Sequence, residues 1–368
     1  MGAARACGQR AVLGVVARRH ASLSHLQRPA PRGASRRSCQ APAEGRHLRA
    51  HQAGIARVRP DQISFLVADL DAVTGAFSFT GRFIARRLLA DGRRVRTLTN
   101  HPKRPGAEGM DVEVAPLQFS NRDVVVESLR GVDVLYNTYW IRFPHSGLGF
   151  GDAVDNTRTL MSAAVEAGVR KVVHISVSNP SPDSPLDYYA GKARTEAVVR
   201  ESGLAWAVVR PTLIFGEGDI LINNIAWLLR RVPFFFVPGN GAYRVQPVAG
   251  EEVADIAVWA AEHDGITVDA AGPDILSYAE LVDSVAIAIH HTRPIVFTPP
   301  AFTLLAGRAV GRFVKDVILT PQELEGLMQE LLVSAEPPLG RKRLDDWLLR
   351  SSDTLGMSYA SELDRHFR

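Results

Sequence analysis

From residue 66 to residue 211, short apolar runs alternate with stretches of helical period, and nothing else in the chain restricts its fold so tightly. Leu66–Thr74, Val95–Thr99, Val112–Ala115, Val132–Thr138, Val172–Ser176 and Trp206–Arg210 read as strands. Gly81–Asp91, Asn121–Leu129, Thr157–Ala167 and Tyr189–Ser202 read as helices, and each closes at or near a glycine. Strands alternating with helices of this length predict parallel βαβ units. Strands that are apolar along their whole length predict a sheet covered on both faces. The expected class is α/β, a Rossmann-type doubly wound parallel sheet. Such a sheet takes its ligand beyond the carboxyl ends of the strands.

After Pro211 the alternation fades. Residues 220–345 mix helices (Ile220–Arg230, Val253–His263, Tyr278–Ile289, Thr320–Leu332) with short strands and prolines, and Leu344–Phe367 reads as a short amphipathic helix and a tail. Three regions are predicted: a disordered basic segment over 1–62, a dinucleotide-binding domain over 63–219, and a smaller C-terminal substrate lobe over 220–368 that interleaves with it.

The net charge of +4 is uneven. Residues 1–60 are rich in arginine and hold one acid, Glu44. The rest is mildly acidic by difference, so the basic balance does not point to a nucleic-acid groove in the folded part. The segment fits an organellar transit peptide, a disordered basic arm, or a start codon set too far upstream in GC-rich coding. The expected location is cytoplasmic, with the mitochondrial matrix as the alternative if the segment is a transit peptide. The apolar run Ala11–Ala17 is too short for a membrane span, and no later run reaches about 20 apolar residues. Cys7 and Cys39 lie outside the predicted folded part, which fits a reducing compartment and excludes a disulfide framework. His290-His291 cannot face one site on a helix and reads as surface. No metal is expected. The partner expected is a small-molecule substrate, and a homo-oligomer is left open.

The turn Thr74-Gly75-Ala76-Phe77-Ser78-Phe79-Thr80-Gly81 joins the first strand to the first helix. Glycine there allows a tight turn, close approach of backbone to a diphosphate, and close helix–strand packing. The helix N-terminus adds free amides and a positive dipole end. Gly75, Phe77, Ser78, Phe79, Thr80 and Gly81 are the expected cofactor cradle. Ser78 stands where a middle glycine is usual; it is small, and its hydroxyl can donate to phosphate. The second strand ends at Asn100, followed by His101, Lys103 and Arg104, with no acid to hold a ribose 2′-hydroxyl. The cofactor expected is NADP(H) or NAD(H), with the lean toward NADP(H).

Tyr188 and Lys192 stand four apart at the start of a helix and share a face. A tyrosine with a pKa near about 10 is a poor acid–base group at neutral pH. A neighbouring ammonium lowers that value, and the tyrosine can then exchange a proton with a carbonyl or hydroxyl oxygen. The preceding strand ends in Ser176-Val177-Ser178, where a hydroxyl can hold the substrate oxygen.

These residues resemble the extended and atypical short-chain dehydrogenase/reductases, namely the NAD-dependent epimerase/dehydratase family and the NmrA-like proteins. The likeness extends to the nucleotide-binding accessory subunit of respiratory complex I and its bacterial relatives. It covers roughly residues 66–290 and is carried by Thr74, Gly75 and Gly81, by Val134-Leu135-Tyr136-Asn137-Thr138, by Asn156, by Tyr188 and Lys192, and by Val209-Arg210-Pro211-Thr212 with Phe215-Gly216. The resemblance implies an oxidoreductase or epimerase acting on a carbonyl or hydroxyl. Tyr188 would be its acid/base, and Lys192 would hold the nicotinamide ribose. Ser178, or failing that Ser176, would orient substrate, and Asn137 and Pro211 would stand beside the cofactor. It also allows a non-catalytic NAD(P)H-binding regulatory or assembly protein. The short gap from Ser178 to Tyr188 departs from the sugar epimerases. Arg142 reads as a plain surface arginine before it reads as a site for an anionic substrate.

Overall fold

The computed structural model describes residues 69–102 and 109–366. The basic segment, residues 66–68, and Lys103 and Arg104 lie outside the described residues. The first half of the chain runs β1 (Leu70–Thr74), α1 (Phe79–Ala90), β2 (Arg94–Leu98), β3 (Glu113–Ala115), α2 (Arg122–Leu129), β4 (Val132–Asn137), α3 (Phe150–Ala167), β5 (Lys171–Ile175), α4 (Asp187–Arg200) and β6 (Ala205–Pro211). It continues with β7 (Leu213–Phe215), α5 (Leu221–Leu229), β8 (Phe235–Pro238), β9 (Arg244–Val245), β10 (Pro247–Ala249), α6 (Gly250–Ala260), β11 (Ile266–Ala270) and β12 (Leu276–Ser277). The last elements are α7 (Tyr278–Ala288), β13 (Ile295–Thr298), α8 (Pro300–Val314), α9 (Pro321–Met328), α10 (Leu344–Ser351) and α11 (Glu362–His366).

Among the described residues, seven strands form one parallel sheet in the order β11-β6-β5-β4-β1-β2-β3. The expected doubly wound α/β sheet is therefore present. Chain order reverses between β1 and β4, which opens a crevice at their carboxyl ends. β1 and β5 are buried along their whole length because helices cover both faces. One face packs Phe83, Ile84 and Leu88 of α1 with Val253, Ala254 and Ala257 of α6. The other packs Val125 and Leu129 of α2 with Leu160, Met161 and Ala164 of α3. Although they follow residue 220, α6 and β11 thus belong to this sheet layer. The remaining C-terminal elements enclose a second core around Ile222, Ile225, Leu229, Leu281 and Val285.

Four helices start two or more residues ahead of the sequence reading: α1, α3, α4 (Asp187 for Tyr189) and α6 (Gly250 for Val253). α1 begins at Phe79, ahead of the expected Gly81, because Ser78 caps it: its Oγ accepts from the Gly81 amide at 3.3 Å. α3 begins at Phe150, seven residues before the expected Thr157, because the Asp152 carboxylate accepts from the Gly149 amide at 2.7 Å and closes an N-terminal turn. α8 carries no strong sequence signal and was not expected.

Phe83 fixes α1 to α6. A Cβ on Gly250 would lie 2.4 Å from its ring, and one on Gly216 would lie 2.8 Å from it. Two glycines thus make the slot that this 4% exposed side chain fills. Phe83→Ala should destabilise the protein by about 3–5 kcal/mol, read from denaturant unfolding. A loss below about 1 kcal/mol would mean that the slot collapses without penalty.

Candidate functional site

The crevice opens into a cavity of about 1150 Å³. Its wall at the sheet end holds Thr74, Gly75, Ser78, Phe79, Thr80, Asn100, Thr138, Asn156, Ser176, Tyr188, Lys192 and Pro211. Most of the residues singled out in the sequence thus meet around one space.

The cradle is built on two glycines. Gly75 has φ +68, a left-handed conformation that a side chain would strain. A Cβ on Gly81 would lie 2.2 Å from the Gly75 carbonyl oxygen, so no side chain fits where α1 crosses the turn. Ser78, at the middle position, has φ −78 and needs no glycine. The Gly75 amide donates to Leu98 O at 2.9 Å, that of Ala76 to Thr97 Oγ1 at 2.9 Å and that of Ser78 to Gly75 O at 2.8 Å. The amides of Phe79 and Thr80 open the helix and make no hydrogen bond among the described residues, as first-turn amides do. These residues fit a diphosphate: two free amides, a helix N-terminus, and a serine hydroxyl whose proton is available. The Phe77 side chain is a correction, since it is 7% exposed and turns inward, away from the cavity wall.

Under the crevice runs a buried polar chain. Thr74 Oγ1 accepts from the Thr138 amide at 2.7 Å and the Tyr139 amide at 3.0 Å, and donates to Asn137 Oδ1 at 3.2 Å. Asn137 Nδ2 donates to His174 Nδ1 at 3.1 Å. That leaves the proton on Nε2, which faces Thr195 Oγ1 at 3.2 Å, and Thr195 donates to Lys192 O at 2.8 Å. Burial, then the charge of Lys192, lowers the His174 pKa to about 3, so the ring is neutral. Asn137 is therefore not a wall residue but a tie between β1, β4 and β5, because a fully buried amide must be hydrogen-bonded. Sequence reasoning missed the role of His174. Its only signal was a polar residue inside an apolar strand.

Ser178 is a second correction. Its Oγ donates to Leu331 O at 2.7 Å and is absent from the cavity wall, whereas Ser176 is in it. Asn100 lines the cavity while its amide donates to Leu117 O at 2.5 Å. Asn156 Nδ2 donates to the Tyr139 hydroxyl at 2.8 Å.

Tyr188 and Lys192 both face the cavity, but the expected ammonium–phenol coupling does not operate between them. Trp140 packs edge-on against Tyr188 at 5.9 Å between ring centroids and lies beneath the Lys192 Nζ at 5.1 Å. The Lys192 Nζ donates to Ile175 O at 3.0 Å. Burial holds the Lys192 pKa down to about 7, against a smaller opposing pull from Glu196. Burial, then the negative charge of Glu323, pushes the Tyr188 hydroxyl up rather than down. That hydroxyl makes no hydrogen bond among the described residues. The Trp140 Nε1 is also buried without a partner among them.

Arg142 is not a surface arginine. It pairs closely with both Glu323 of α9 and Glu362 of α11 at the cavity wall. Desolvation opposes its charge, and the two carboxylates overcome that.

A glycine cradle at the switch point of a doubly wound sheet, with an open cavity beside a Tyr–Lys pair, defines a dinucleotide-binding protein. Residues 75–220 match the family model described as NAD(P)H-binding. That match covers the cradle and the Tyr–Lys pair, and with the sheet it supports a likeness to the extended short-chain dehydrogenase/reductases. The chain is 25% identical over 299 residues to a protein named the NADH-ubiquinone oxidoreductase 40 kDa subunit, mitochondrial, of Neurospora crassa, spanning 78% of this chain and 77% of that one. It is 29% identical over 218 residues to a (4-alkanoyl-5-oxo-2,5-dihydrofuran-3-yl)methyl phosphate reductase of Streptomyces griseus, spanning 56% and 70%. A nucleoside-diphosphate-sugar epimerase from Staphylococcus aureus shares the fold with a TM-score of 0.60 at 18% identity, covering 76% of this chain and 99% of that one. No described helix is long and apolar enough to cross a membrane.

Two outcomes follow from this geometry. Gly81→Ala should abolish the thermal stabilisation by NADPH or NADH, which for the parent is about 2.7 kcal/mol at 100 times Kd. A shift of parental size in the variant would show that the diphosphate does not rest on this turn. For Lys192, the folded pKa of about 7 lies below the ordinary 10.5. The unfolded chain therefore binds the extra proton between these values, and stability rises with pH across that window. Lys192→Met should remove this rise, so its stability relative to the parent should be greatest near pH 7. Unfolding curves of the two proteins that stay parallel from pH 7 to 10.5 would contradict the buried, discharged amine.

Proposed function

We propose that the protein is an NAD(P)H-dependent reductase of a carbonyl substrate, with Tyr188 as proton donor. The observation that carries this reading is the Tyr188 hydroxyl, without a hydrogen bond among the described residues, in the same cavity wall as Gly75, Ser78, Phe79 and Thr80 of the cradle. When bound, the nicotinamide cofactor supplies hydride. Gly75, Ser78, Phe79 and Thr80 would hold its diphosphate, and Leu117 and Phe119 would flank its base at the far end of the wall. Lys192 would meet its ribose. The upward shift of Tyr188 keeps the phenol protonated at neutral pH, which suits donation to a carbonyl oxygen better than abstraction from an alcohol. As the carbonyl carbon gains hydride, its oxygen takes the Tyr188 proton, and the phenolate recovers a proton from water. Ser176 lines the cavity where Ser178 does not, and its Oγ, buried beside Glu196, would have to turn outward to hold that oxygen. The relative from Streptomyces griseus is named a reductase, which supports reduction as the direction of the chemistry. We further propose NADP(H) as the cofactor. No acid closes β2, and Asn100 and His101 line the cavity where that acid would stand.

A second reading has its own support. Lys192 bonds to Ile175 O and not to Tyr188, and the Neurospora crassa relative is named as a subunit of a larger oxidoreductase. On that reading the nucleotide is a bound structural or sensing ligand, and the protein acts through partners. Tyr188→Phe separates the two. A reductase should lose about 10²–10⁴-fold in kcat with its NADPH melting shift intact. Turnover equal in parent and variant over a broad carbonyl panel, or absent from both, would favour the second reading.

A further inference from the structure

The cavity has two unlike halves. The sheet half offers amides, hydroxyls and an amine. The other half lies among α5, β8 and α8, and is walled by Leu221, Ile225 and Leu228, by Phe236, and by Ala306 and Val310. The α5 residues stand at i, i+4 and i+7, so they form one stripe along about 10 Å of helix. No charged side chain of α5, β8 or α8 lines the cavity among the described residues. The two polar side chains that these elements contribute are already engaged. Asn224 Nδ2 donates to Ala360 O at 2.9 Å while its Oδ1 accepts from the Ala360 amide at 3.0 Å. Thr303 Oγ1 bonds to Thr298 Oγ1 at 2.8 Å. Of the two arginines in the wall, Arg142 already faces two carboxylates, and Arg365 lies over the Phe79 ring at 6.0 Å, at the cradle end and not in this half. A sugar or nucleotide in this half would leave its hydroxyls or charges without partners, a desolvation loss that the wall does not offset.

The outer end of the same half is aromatic and exposed. Phe234 lines the cavity at 43% exposure and stacks edge-on against Phe236, which in turn meets Phe302, 46% exposed. Exposed apolar groups that are continuous with an apolar cavity mark a route for apolar matter.

We propose that the substrate carries a long unbranched aliphatic chain, which lies along α5, β8 and α8 with its carbonyl end at Tyr188. The placement of the carbonyl rests on the reductase reading, whereas the site for the chain is read from the lobe wall by itself. The test is calorimetric titration of the full chain with methyl ketones, from butanone through tetradecanone, with and without NADPH. Affinity should rise roughly fourfold per added methylene and level off once the stripe is covered. Ala306→Trp narrows the channel and should stop the rise at a shorter ketone. Val310→Trp gives the same comparison should the first variant lack a cooperative melting transition. Affinity that is flat along the series, or a rise of equal extent in both tryptophan variants and parent, would overturn the proposal. The separate loss of an NADPH melting shift would sink the dinucleotide reading and leave the ketone series to decide this one.

Discussion

Helix α1 crosses the end of β1 so closely that position 81 has no room for a single methyl group. The rest of the site follows from that approach. It puts the first free amides of the helix at the sheet's switch point, and it lets Ser78 bridge turn and helix as the cap. Beneath it, the chain of hydrogen bonds from Thr74 through Asn137 and His174 to Thr195 locks the carboxyl ends of three strands to α4. Each member is buried, so each lost partner would strand another polar group in a low-dielectric interior. The site therefore rests on a floor that is rigid for electrostatic reasons, not only because it is well packed.

The Tyr–Lys pair is a case of desolvation outweighing charge. Sequence spacing puts the two side chains on one helix face, and a solvated ammonium there would favour phenolate. Both groups are buried beside Trp140, so burial dominates each: the amine tends to lose its proton and the phenol to keep it. The pair is thus poised in the opposite sense to the simple electrostatic expectation. A bound, charged cofactor would change the field that both groups feel.

The sheet was legible in the sequence because its strands are apolar throughout and its helices keep their period; β1, β2, β4, β5 and β6 lie within a residue or so of their expected ends where the chain is described. The turn at Gly75 was legible because a left-handed residue and a close approach both demand glycine. The fates of Asn137, Ser178 and Arg142 were not. Each depends on a partner far along the chain: His174 for Asn137, Leu331 for Ser178, and Glu323 and Glu362 for Arg142. A polar side chain at a strand end looks the same in sequence whether it faces a ligand or another element. The start of α3 was missed because its first turns carry glycine, aspartate and asparagine, which suggest a loop until Asp152 closes on Gly149. α8 was missed because its apolar residues serve the cavity on one side and solvent on the other, so no single face carries the pattern.

Arg142 joins the loop after β4 to two helices, one 181 and the other 220 residues farther along the chain. During synthesis the sheet layer can assemble early, yet this guanidinium gains its first carboxylate only with Glu323 and its second only with Glu362. The nascent chain therefore passes through a stage with a formed cradle and an open flank. Removal of α11 from the finished protein would take one of the two carboxylates from Arg142 and open the cavity wall at Glu362 and Arg365.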